Sequence, residues 1–246
     1  MIINLFRELI NIGYGLGAII AIIGCILAVV ILSLSLHEFA HAYIAHRCGD
    51  DTAKINGRMT VNPLKHLDIM GLIMLILLGF GFAKPVPINP YNFRKMRRDY
   101  FFVSIAGITV NLILAFVASF LYVVVIVYAK ATIFNTILAY FFFYMLIINL
   151  GLMLFNLFPI FPLDGFRIIE SASGRNNKFV FFMRKYGQFI LIGLLAWSFV
   201  VDFMCSMVTE NVANILQYFD ILGFTLSFLI NGIANGFMGL WKLFIK

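Results

Sequence analysis

Four apolar stretches, Ile12–Leu36, Phe101–Ala129, Ile133–Phe158 and Phe189–Val208, are long enough to cross a bilayer, which takes about 20 residues of helix. A fifth, roughly Ile221–Trp241, is interrupted by Asn231 and Asn235. Composition agrees: only 12% of the residues are charged, against about 25% in a soluble domain. The chain reads as an all-α polytopic membrane protein of about five to six transmembrane helices. Its net charge of +7 is not read as a nucleic-acid signal, because the basic residues cluster in loops between apolar runs, as cytoplasmic loops do.

Segment Ile69–Ala83 is shorter and glycine-rich (Gly71, Gly79, Gly81), and it runs into Lys84-Pro85-Val86-Pro87-Ile88-Asn89-Pro90. It is either a short span or a re-entrant segment. If it dips in and returns, Arg47, Lys54, Arg58, Lys65, Lys84 and Arg94–Arg98 share a face with Arg167, Arg175, Lys178, Arg184, Lys185, Lys242 and Lys246. Only Arg7 and Lys130 then fall opposite. That bias makes the rich face cytoplasmic, with the N-terminus outside and the C-terminus inside. A full crossing would carry the Pro159–Arg167 loop away from His37, so the re-entrant reading is preferred. Between Asp50 and Pro63 polar residues alternate with others. This suggests either short strands, a small β-like loop, or an ordinary loop.

Cys25, Cys48 and Cys205 form no close pair, so neither a disulfide framework nor a cysteine zinc site is expected. The N-terminus lacks a small-residue cleavage site after its apolar run, and does not read as a signal peptide.

His37-Glu38-Phe39-Ala40-His41 closes the first apolar run. Histidines four apart share one helix face and can hold one zinc ion, with the intervening glutamate as general base on a water. Ionisable groups beside hydrocarbon are costly and signal function. A catalytic zinc usually takes a third protein ligand. Asp50 and Asp51 follow the helix too closely to fold back easily. Asp202, Glu210 and Asp220 fall towards the other face, and Asp68, Asp99 and Glu170 read as loop or helix-end charges. Asp164 lies in Asn156-Leu-Phe-Pro159-Ile-Phe-Pro162-Leu-Asp164-Gly165-Phe-Arg167. Two prolines break the helix there, and Gly165 allows an unusual backbone angle. By its residues alone, Asp164 is either a ligand or a turn aspartate preceding glycine. His46 and His66 read as loop histidines, and Arg167 as a loop cap or headgroup anchor.

His37-Glu38-x-x-His41, then Ala106-Gly107-x-x-x-Asn111, then Asn156-x-x-Pro159-x-x-Pro162-Leu163-Asp164-Gly165 resembles the site-2 protease family of intramembrane zinc metalloproteases. Gly57-Arg58-x-Thr60-x-Asn62-Pro63 and Lys84–Pro90 resemble its compact bacterial and archaeal members, the form without PDZ or CBS domains. Ile108 departs from the proline that many members carry there, which implies an altered helix start. The resemblance implies one zinc ion per chain held by His37, His41 and Asp164, and Glu38 as the catalytic base. Asn156 would be a substrate-binding residue, or else would make an interhelical hydrogen bond. It implies a single metalloprotease domain over residues 1–246, with its catalytic core at about 12–170 and further C-terminal helices at about 180–246. The expected protein sits in a bacterial or archaeal cell membrane and cleaves membrane-spanning protein substrates near the cytoplasmic face. The alternative is a zinc transporter or a non-catalytic metal-binding membrane protein.

Overall fold

A computed structural model describes residues 15–71, 74, 81–173 and 177–245. Among the described residues, five helices are long and apolar enough to cross a membrane: α1 (Leu16–Arg47), α3 (Met96–Tyr128), α4 (Ile133–Asn156), α6 (Lys178–Met207) and α8 (Ile221–Phe244). Short helices α2 (Thr52–Ile55), α5 (Asp164–Ser173) and α7 (Glu210–Leu216) lie between them. The long helices outrun the apolar stretches into polar sequence. Hydropathy marks where hydrocarbon is, whereas a helix continues until a proline, a cap or a turn stops it.

Helices α1, α3 and α4 pack on one another, and α8 packs against α3 and α4. Ile108, Ala115 and Ala118 of α3 meet Leu146, Leu150 and Met153 of α4 and Ala234 of α8. Small residues allow this close approach where lipid offers no hydrophobic drive between helices. Ile108 lies inside α3 and is buried there, so the departure from proline alters no helix start. Polar side chains add ties between helices: Asn149 donates to Ser33 at 2.8 Å, and Trp241 donates to Ser119 at 2.8 Å.

The alternation after Asp50 gives no strand. Asp50 Oδ1 accepts from the Thr52 N–H and from its hydroxyl, starting the single turn of α2. Asn56 then bonds back to Thr52 O, and Gly57 leaves the turn at φ +63°. The polar residues serve local side-chain-to-backbone bonds, which compete with strand pairing. Among the described residues the one isolated bridge joins Leu67 to Ala83. Lys84 N donates to His66 O at 2.8 Å, and a Cβ on Gly71 would strike Phe82 O. The two ends of the glycine-rich segment therefore lie side by side, as a segment that returns requires. Most of its path, on which the re-entrant reading bears, falls outside the described residues.

Wholly buried Asp50 also accepts from Asn89 N at 2.7 Å and Asn92 Nδ2 at 2.8 Å. Burial alone would raise its pKa, but the donors from Thr52, Asn89 and Asn92 outweigh it and hold the carboxyl below its ordinary value. A lowered folded pKa stabilises above the unfolded value of about 4 and is lost as pH falls through the folded value. Thermal unfolding of Asp50→Asn beside wild type should show a clear deficit at pH 7 that narrows below about pH 4.

Candidate metal centre

His37 and His41 lie on consecutive turns of α1, and both are buried. At about 1.5 Å per residue, His37 stands roughly 30 Å along the helix from Leu16, about one hydrocarbon thickness. Asp164 is the first residue of α5 and is also buried. His41 Nε2 lies 3.0 Å from His37 Nε2 and 3.0 Å from Asp164 Oδ2. His37 Nε2 is 3.2 Å from the same oxygen.

Three ligand atoms thus form a near-equilateral triangle. Donors on a tetrahedral zinc with bonds of about 2.0–2.2 Å stand roughly 3.3 Å apart, close to this spacing. His41 Nδ1 donates to Val103 O at 2.7 Å, which leaves Nε2 as the lone-pair nitrogen, as ligation requires. Two nitrogens and one carboxylate oxygen are a zinc donor set. Arg167 Nη1 donates to Asp164 Oδ1 at 3.3 Å, so it serves Asp164 directly rather than a headgroup. Burial raises the Asp164 pKa, but the neighbouring imidazoles outweigh it and hold the carboxyl well below its usual range.

Two glycines let backbone approach the group. A Cβ on Gly107 of α3 would stand 2.5 Å from His37 Cε1 and 2.6 Å from Nε2 of both histidines. A Cβ on Gly165 would stand 2.2 Å from Leu157 O. Gly165 is helical and has no positive φ, so it supplies room rather than the unusual angle expected. Helix α5 is pinned by Glu170, which accepts from Tyr100 Oη at 3.2 Å and Arg184 Nε at 2.6 Å. Helix α6 rests on the proline loop where Gly187 meets Phe161.

Glu38 is half-buried, and its Oε2 accepts from the Val86 N–H at 2.8 Å. Asn156 is not drawn into the cluster by any bond seen here; its Nδ2 donates to Leu152 O of its own helix at 2.9 Å. The other acids are engaged elsewhere: Asp51 with His46, Asp68 with Gly71 N, and Asp99 with Lys95 N and Arg98. His66 bonds Thr60 O at 2.7 Å. Sequence reasoning missed the contacts of Gly107, Val103 and Val86. The four-residue step from Val103 to Gly107 was the available signal, since it puts both on one face of α3.

Residues 122–196 match the model of peptidase family M50. Two relatives carry the name "Putative zinc metalloprotease": YwhC of Bacillus subtilis (strain 168) and Rip2 of Mycobacterium tuberculosis (strain H37Rv). The first is 51% identical over 142 residues, covering 57% of this chain and 65% of the relative. The second is 32% identical over 149 residues, covering 57% of this chain and 54% of the relative. Over these stretches the chain is similar to peptidase family M50 and to these two relatives. It spans less than two thirds of each of these relatives. No solved structure matches it.

A methyl group at position 107 would push against both imidazoles. Gly107→Ala should weaken zinc retention at least tenfold, the scale on which partners around metal ligands act. Elemental analysis of purified protein titrated with a chelator measures it.

Proposed function

We propose that the chain is an intramembrane zinc endopeptidase that hydrolyses peptide bonds of membrane-spanning proteins near the cytoplasmic face. The observation that carries this reading is the Glu38 carboxylate one residue from His37 in a buried cluster of His37, His41 and Asp164. Metal storage or transport has no use for a base at that position. Hydrolysis needs one.

Zinc, held by His37, His41 and Asp164, would supply a Lewis acid that polarises the scissile carbonyl and acidifies a water. Glu38 takes the proton from the attacking water and delivers it to the leaving amine nitrogen, acting as base and then as acid. The Val103 carbonyl keeps His41 in the tautomer that offers Nε2. Arg167 shares the charge of Asp164 and orients the carboxylate. Asn156 is assigned to the substrate backbone or the developing oxyanion, using the Nδ2 proton not given to Leu152. The basic loops lie on the cytoplasmic side, with the N-terminus outside and the C-terminus inside.

Peptide carbonyls in a helix are already paired, so the substrate segment must unwind before it is attacked. Replacing Gly or Pro near the cleaved bond of a substrate by Leu should slow cleavage several-fold in a gel assay. Equal rates across that series would contradict the unwinding step.

Glu38→Gln tests the reading. The variant should keep about one zinc per chain and lose at least 100-fold in turnover, within the range of general acid–base catalysis. Turnover equal to wild type would refute the assignment of Glu38 and the hydrolytic mechanism with it.

A further inference from the structure

The residues Lys84–Asn89 form a strap across the Glu38 carboxylate. Pro85 and Pro87 have no N–H, so Val86 carries the single backbone donor between Lys84 and Ile88. That donor goes to Glu38 Oε2 at 2.8 Å. The Val86 side chain is buried with Ala42, Ala53 and Met59, and flanking prolines restrict the backbone on both sides. The peptide that meets Glu38 is therefore stiff.

Both ends of the strap are tied. At the far end Asp50 takes the Asn89 N–H. At the near end Lys84 N donates to His66 O. Arg58 Nη2 donates to Lys84 O at 2.6 Å and reaches Pro85 O at 3.4 Å. The Arg58 guanidinium thus reaches the peptide that meets Glu38, in the order guanidinium, Pro85 carbonyl, Val86 N–H, Glu38 carboxylate. Pro85 O and Val86 N belong to the same planar peptide unit. A cation holding the carbonyl end of that unit thus fixes where its N–H end points.

We propose that Arg58 is a positioning residue for Glu38. It clamps the Lys84 and Pro85 carbonyls, aims the Val86 N–H at one carboxylate oxygen, and commits proton transfer to the other. The proposal rests on the reading of Glu38 as the general base. Both carbonyls are reached from one nitrogen, Nη2, whose donors are held in the plane of the guanidinium, where those of a lysine ammonium rotate freely. Misplacing a catalytic group by about 1 Å can cost roughly 100-fold in rate, while substrate binding elsewhere stays intact.

The test uses the purified full chain loaded with zinc and a membrane-spanning peptide that wild type cleaves. Arg58→Ala should lower kcat at least tenfold, leave KM within about twofold, and retain wild-type zinc. Arg58→Lys should recover part of the loss, since one donor still reaches Lys84 O. A second measurement does not depend on turnover. In a Val86→Cys protein, alkylation of the thiol at position 86, read by peptide mass, should speed up at least tenfold when Arg58→Ala is added. Unchanged kcat, a loss of zinc together with a rise in KM, or an unchanged alkylation rate would each overturn the proposal. Turnover by Glu38→Gln equal to wild type would instead refute the endopeptidase reading. The alkylation result then still decides whether Arg58 holds the strap.

Discussion

A carboxylate and two imidazoles buried at the end of an apolar helix are costly unless the charge among them is matched. That need shapes the whole end of the bundle. Asp164 has His37, His41 and Arg167 around it, and His41 has the Val103 carbonyl. The other acid of α5, Glu170, is in turn held by Tyr100 and Arg184. The donors come from helices far apart in sequence. Glycines stand at the tightest contacts, Gly107 over the imidazoles and Gly165 over the Leu157 carbonyl. A Cβ would press on both imidazoles at the first and on the Leu157 backbone at the second.

Around that end the molecule divides into two kinds of packing. Helices α1, α3 and α4 are joined by buried apolar residues and by the bond from Asn149 to Ser33. The outer helix α6 shows Phe181, Phe189, Trp197 and Phe203 on its surface, a face that lipid solvates as well as protein does. Loop residues do the rest. The buried carboxylate of Asp50 and the guanidinium of Arg58 tie Lys84–Asn92 down beside α1.

The spanning helices were legible because about 20 apolar residues in a row have few other uses. The His37–His41 step was legible because helical periodicity puts residues four apart on one face. Asp164 stands 123 residues from His41, and no local pattern joins the two; the link came from a resemblance of motifs. Where polar residues met no hydrocarbon, the pattern misled. The alternation after Asp50 looked like strands, yet Asp50, Asn56 and Asn62 use their side chains on nearby backbone. The contact of Val86 with Glu38 left no side-chain signature, since it is made by a main-chain N–H. Only the prolines on either side of Val86 hint that this N–H stands alone.

Zinc content per chain in detergent-purified protein, wild type beside Asp164→Ala, is the measurement that bears most directly on the proposed centre. One zinc per wild-type chain, lost or weakened at least tenfold in the variant, is the expected result. It would join the end of α1 to the start of α5 through a shared ion. Equal zinc in both proteins would contradict the account, because Asp164 would then be a buried acid paired with histidines and nothing more.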